Sequence, residues 1–238
     1  KPVLYYPLDS WFIRTTALRE RMIELNKTIR WKPESTGTGR FGKWLEGLVD
    51  WNLSRSRFWG TPLPVWATED YSEVKCIGSV EELMAEIERS IAAGVMQENP
   101  YRNFRVGDMS KENYSTENID LHRPYVDSIV LVSSKGEPMR RESDLIDVWF
   151  DSGAMPYAQV HYPFENKEGF GQVYPADFIA EGVDQTPRCS STRWLSRISF
   201  RTAWCSTRTA TRCRNAWATP SIHSRCSTPT EPTRRAGT

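Results

Sequence analysis

No apolar run in the 238 residues approaches the roughly 18 that a membrane-spanning helix needs. The opening Lys1-Pro2-Val3-Leu4-Tyr5-Tyr6 lacks the apolar core and small-residue cleavage site of a secretory signal, and no Met begins it. The expectation is a soluble, intracellular chain without membrane contact that starts within a longer protein. Glycine-rich phosphate loops are also missing, both Gly-x-Gly-x-x-Gly and the Walker type, so nucleotide binding cannot be argued from glycines. Cysteine is scarce in the first part, where Cys76 stands alone and reads as a small buried hydrophobe rather than a nucleophile. The other four (Cys189, Cys205, Cys213, Cys226) are spaced by 16, 8 and 13 with no Cys-x-x-Cys pair, and the only imidazole near them is His223. That pattern excludes an ordinary zinc site, and no metal is expected.

What is present divides in two. Up to Thr186 there are 21 Lys and Arg against 29 Asp and Glu, a net of −8. From Pro187 onward ten Arg and no Lys face one acid, Glu231, a net of +9, in a stretch dominated by Ser, Thr and Arg. That tail has no Asp, Tyr, Val, Met or Gln and no sustained apolar periodicity, so it is expected to be disordered.

In the first part, Leu18, Met22, Leu25 and Ile29 recur at helical spacing within residues 11–30. Phe41 to Leu53 is a second amphipathic stretch. Two prolines exclude a helix from Trp59 to Pro64, which should leave a strand end as an extended loop. Ser79-Val80-Glu81-Glu82 has capping-box form and predicts a helix with Val80, Leu83, Ile87 and Ile91 inward, ended by Gly94. Residues 97–120 are polar and read as a long surface loop. Val126–Val132 and Pro138–Arg141, joined through Ser133 to Gly136, predict a hairpin. Leu145–Phe150 and Asp177–Ala180 are short apolar runs that stop at acid-and-glycine turns, and they predict buried strands of a parallel α/β sheet. In such sheets ligands sit beyond the carboxyl ends of the strands, which directs attention to Trp149–Gly153 and Glu181–Gln185.

The side chains there leave alternatives open. Glu181, Asp184 and Gln185 could receive an ammonium group, ribose hydroxyls or a carbonyl, or could form a solvated loop. Trp149 could wall a small apolar pocket or be ordinary core. Arg55 and Arg57, in Ser54-Arg55-Ser56-Arg57, could meet phosphate or tRNA backbone, or form the charged rim of an element. His122 and His161 are isolated and read as structural or surface residues.

Resemblance goes further. Trp51 to Pro64 (WNLSRSRFWGTPLP) resembles a signature stretch of isoleucyl-tRNA synthetases. So do Ile146 to Ala158 (IDVWFDSGAMPYA), His161 to Phe164 (HYPF) and Pro175 to Thr186 (PADFIAEGVDQT), in the family's order and spacing. The related valyl and leucyl enzymes usually carry His where Thr61 stands. The resemblance covers residues 1–186. It implies part of a Rossmann-type class I catalytic domain with an inserted α+β connective subdomain. Residues 1–10 would leave the editing insertion, 11–66 and 146–186 would be catalytic-domain segments, and 67–145 would be the connective insertion. Some relatives carry zinc-binding cysteine pairs in that insertion; this chain has only Cys76 there.

The activity implied is ATP-dependent formation of isoleucyl-adenylate with Mg²⁺, then transfer to tRNA(Ile), by a cytoplasmic, monomeric enzyme. By position, Glu181, Gly182, Asp184 and Gln185 would contact the aminoacyl-adenylate and Trp149 would line the isoleucine pocket. The family's His-Ile-Gly-His and Lys-Met-Ser-Lys signatures are absent, so the chain alone is expected to be inactive. Alternatives are a non-catalytic tRNA- or partner-binding fragment, or a valyl- or leucyl-specific piece.

The tail acquires a mechanical reading from the same resemblance. Codons AAC AAG ATG TCG AAA CGC for Asn-Lys-Met-Ser-Lys-Arg, read one base later, give Thr-Arg-Cys-Arg-Asn, which is Thr211 to Asn215. Family-like Leu-Gly-Asn-Ala-Val-Asp-Pro, shifted in the same way, gives Trp217 to His223. Residues 187–238 are therefore expected to be out of frame.

Overall fold

The computed structural model describes residues 9–178 and the pair Cys213–Arg214. Strands β1 (Asp9–Ser10) and β2 (Phe12–Ile13) lead through a 3-10 turn, Thr15–Leu18, into helix α1 (Arg19–Asn26). The helix expected over 11–30 is thus shortened at its start. Phe12 and Ile13 are drawn into an antiparallel pair with β3 (Trp51–Asn52), and the hydroxyls of Thr15 and Thr16 donate to Val49 O and Asp50 Oδ1. None of the α1 side chains is fully buried.

Helices α2 (Glu34–Thr38) and α3 (Arg40–Glu46) follow. The amphipathic stretch from Phe41 helps build a core through Phe41, Leu45 and Leu48, but the helix stops at Gly47. Val49 is consequently 74% exposed as the chain turns into β3, and Trp44 lies on the outer face.

The largest assembly is a four-stranded antiparallel sheet with one helix. Strand β4 (Ser54–Arg55) precedes it, and then β5 (Val65–Ala67), β6 (Val74–Cys76), α4 (Val80–Ala92), β7 (Val130–Val132) and β8 (Pro138–Arg141) form it in the order β6-β5-β8-β7. The α4 helix lies against β7 and encloses Trp66, Leu83, Ile87, Ile129, Leu131 and Met139. Its start follows the sequence pattern: Ser79 Oγ accepts the Glu82 N–H at 3.0 Å, and the Glu82 carboxylate reaches back to the Gly78 N–H at 2.9 Å. Gly94 ends it with φ +74, a left-handed conformation in which side chains are strained. The β7–β8 hairpin is present, although Tyr125–Ser128 is a 3-10 turn that precedes β7.

Residues 97–120 hold neither helix nor strand, yet they are not merely a surface loop. Tyr101, Phe104 and Ile119 are buried in the sheet–helix core. Asn113, 5% exposed, replaces missing backbone pairing by accepting from Arg105 N and donating to Arg105 O and Asp108 O.

Two further elements overturn a sequence expectation. Only Leu145–Ile146 is a strand, β9, and it pairs antiparallel with β4; Val148–Ala158 is helix α5. A short apolar run does not by itself distinguish strand from buried helix, and here Asp147 caps the run as a helix. Helix α6 (Phe170–Val173) packs its Phe170 with Tyr157 and Tyr174. Strand β10 (Cys213–Arg214) pairs with β1. Every strand pair among the described residues is antiparallel, so the expected parallel sheet is not found there. The second expected strand falls on Asp177 and Phe178, which are not in a strand, and on residues outside those described. Apart from β10, the expectation of disorder over 187–238 also lies outside the described residues. No helix among them is long and apolar enough to cross a membrane.

Candidate functional site

The junction of β9 and α5 is where distant motifs meet. Its backbone is fixed first: Ile146 N–H donates to Thr61 O at 2.8 Å and Asp147 N–H to Leu53 O at 2.7 Å. Both motifs therefore run side by side, with Trp11, Leu53, Leu63, Val65 and Ile146 as the apolar floor. Asp147 follows at once and is 3% exposed.

A buried carboxylate is costly unless charged or polar partners replace its water. Asp147 Oδ2 accepts from Arg55 Nη2 at 2.6 Å and from Trp51 Nε1 at 3.0 Å, while Oδ1 caps the helix by accepting from Trp149 N–H at 3.3 Å. Arg55 is held from its other side, since its Nη1 donates to Asn52 O and Ser54 O, each at 2.9 Å. One turn into α5, Asp151 Oδ2 accepts from Thr61 Oγ1 at 3.2 Å. Burial pushes the Asp151 carboxyl above its ordinary range and the Asp147 charge adds to this, against the opposing Thr61 bond.

Trp149 therefore stands in the first turn of a helix, not at a strand end, and is 36% exposed. Arg55 is engaged within the fold. Arg57 is exposed, and its carbonyl accepts from Arg123. Beside it, Phe58 and Trp59 are exposed; Arg123 lies over the Phe58 ring and His122 stacks on Trp59 at 4.9 Å. His122, which is exposed, also pairs with Asp120, and His161, which is half-buried, pairs with Glu165. Cys76 is half-buried in β6 against the Leu53–Ile146 cluster. Glu181, Gly182, Asp184 and Gln185 lie outside the described residues. Among the described residues no group of three or more His, Cys, Asp or Glu side chains could hold a metal ion.

Sequence reasoning missed Asp147 and Thr61 as organising residues. Asp immediately before an apolar run was the available signal for a helix cap. Nothing local marked Arg55 as its partner.

Residues 4–204 match the family model of class I tRNA synthetases (I, L, M and V). The chain belongs to that family. Its relatives include the isoleucine–tRNA ligase of Bacteroides fragilis, 76% identical over 190 residues, covering 78% of this chain and 16% of the relative. The isoleucine–tRNA ligase of Porphyromonas gingivalis is 71% identical over 188 residues, and that of Clostridium acetobutylicum 48% over 186, with the same shares of each chain. This synthetase segment thus spans about a sixth of the length of the curated relatives it matches. The family match runs past Thr186 into the basic tail, as far as residue 204.

Proposed function

We propose that the chain is a segment of an isoleucine–tRNA ligase and that the β9–α5 junction forms one wall of its amino-acid site. The supporting observation is the 76% identity to an isoleucine–tRNA ligase across a span that contains this junction. In this reading residues 11–66 and 146–186 belong to a Rossmann-type catalytic domain, 67–145 to a connective insertion, and 1–10 to the exit from an editing insertion. Trp149 offers its indole to the isoleucine side chain. Glu181, Gly182, Asp184 and Gln185 contact the aminoacyl-adenylate, and the exposed Arg57 faces phosphate or tRNA backbone.

The reaction joins the isoleucine carboxylate to the α-phosphate of ATP, forming isoleucyl-adenylate and releasing pyrophosphate. It then passes the isoleucyl group to tRNA(Ile) with release of AMP, in a cytoplasmic, monomeric enzyme. One methylene separates isoleucine from valine, and an apolar wall gains only about 1–3 kcal/mol from it, a limit for which this enzyme family is itself the standard illustration. Mg²⁺ would accompany ATP as its counter-ion; the described residues supply no ligand cluster for it or for zinc. Residues 187–238 are read as out-of-frame ligase sequence, so these 238 residues hold no Lys-Met-Ser-Lys signature for the ATP phosphates.

ATP–pyrophosphate exchange tests this reading. A full-length synthetase from Bacteroides fragilis carrying residues 9–178 of this chain should exchange in response to isoleucine and more weakly to valine. The 238-residue chain alone should give none. A preference for valine or leucine in the chimera, or clear isoleucine-dependent exchange by the chain alone, would refute it.

A further inference from the structure

We infer that Asp147 and Arg55 are positioning residues for the amino-acid site: the ion pair between the buried Asp147 and the half-exposed Arg55 sets where α5 begins and therefore where Trp149 stands. The inference rests on the reading above, in which Trp149 lines that site. Asp147 uses both carboxylate oxygens, one on Arg55 and Trp51 and the other on the backbone N–H of Trp149. The group that caps the helix is thus the group that holds the ion pair. Its backbone N–H is committed as well, to Leu53 O at 2.7 Å.

Arg55 is fixed on the opposite side by the carbonyls of Asn52 and Ser54, so the pair ties the first turn of α5 to a segment 92 residues earlier. The Thr61–Asp151 hydrogen bond is a second strut one turn on. The Asp147 side chain is only 4% exposed while that of Arg55 is 40% exposed, so removing the guanidinium takes away the charge that compensates Asp147 and opens the carboxylate to water on that one side. The carboxylate would then turn toward water or take a proton, its cap on Trp149 would loosen, and the indole would shift. A merely structural pair would change the yield or stability of the enzyme without altering its selectivity for substrate. A positioning pair changes the affinity for isoleucine and not that for ATP.

The test uses the full-length chimera with R55A, R55K, D147N and W149A, following KM and kcat for isoleucine, KM for ATP, and the preference for isoleucine over valine. R55A should raise the isoleucine KM about tenfold and leave the ATP KM unchanged, as expected when a substrate-contacting group is displaced by a fraction of an ångström. R55K should recover part of the loss by returning a positive charge to Asp147. W149A should raise the isoleucine KM by itself. If W149A does so and neither R55A nor D147N does, the positioning role is wrong and the pocket reading survives. If W149A leaves the isoleucine KM unchanged, the pocket reading fails and the inference fails with it. A rise in the ATP KM on R55A would make Arg55 a phosphate contact and overturn the inference. Should R55A not fold, D147N decides: it keeps the volume and the cap acceptor, so a smaller rise in the isoleucine KM is expected, and no rise overturns the proposal.

Discussion

Arg141 keeps its guanidinium side chain 1% exposed and has four acceptor contacts. Its Nε and Nη2 donate to Asp127 Oδ1 at 2.7 and 2.5 Å, and its Nη1 donates to Leu63 O and Asp144 O, each at 3.1 Å. It therefore clamps the end of the β5–β8 sheet to the strand that carries the Asp147 junction. Arg141→Ala removes the buried partner of a pair whose Asp127 is part-exposed and keeps Arg123, and it should destabilise the chain by about 2 kcal/mol in urea unfolding; a loss below about 0.5 kcal/mol would mean the clamp is dispensable. Asp127 adds a pH dependence. Burial raises its carboxyl, but hydrogen bonds and charge from Arg123 and Arg141 outweigh this and hold it below its ordinary value. Its stabilisation is therefore complete above the unfolded carboxylate pKa and disappears as pH falls through the depressed folded value. Wild type should lose more stability than Arg141→Ala across that acid window, and parallel curves would show that the pair does not titrate with folding.

At the scale of elements, α4 was legible because its determinants are local. Ser79 caps it, Glu82 closes the box onto Gly78, and Leu83 and Ile87 fall on the face that packs on β7. Ser79→Ala should cost about 1 kcal/mol, read as a lower unfolding midpoint at constant slope in urea; an unchanged midpoint would show that the helix start carries no stability. The α5 helix was not legible. Its apolar residues carry no clear amphipathic periodicity, and β9 and α5 divide one apolar run between them. What decides the division is Asp147, whose charge is stabilised by Arg55 from a distant motif. Polarity misled for residues 97–120 in a similar way, because the few apolar anchors Tyr101, Phe104 and Ile119, rather than the many polar residues, determine where that segment lies.

Across the whole molecule, the charge changes sign near residue 187, from an acidic first part to an Arg-rich tail. The out-of-frame reading makes one prediction about the gene. Resequencing around codon 187 should reveal a single-base insertion or deletion, and the adjacent frame should encode Lys-Met-Ser-Lys where Thr211 to Asn215 now stand. An unbroken upstream frame into Pro187, with no ligase-like frame beside it, would refute that reading. The matches to the curated relatives cover 78% of the chain, whereas the family match extends past Thr186 to residue 204.

The family was readable from sequence because Trp51–Pro64, Ile146–Ala158, His161–Phe164 and Pro175–Thr186 are contiguous strings whose chemistry is carried by order alone. Helix α4 and the β7–β8 hairpin were readable because caps, turns and periodicity act over a few residues. The antiparallel pairing of β4 with β9, the burial of Asp147 and the engagement of Arg55 were decided only by tertiary structure. Each depends on the free energy of removing a polar or apolar group from water beside a partner some 90 residues away, and no local pattern encodes that partner.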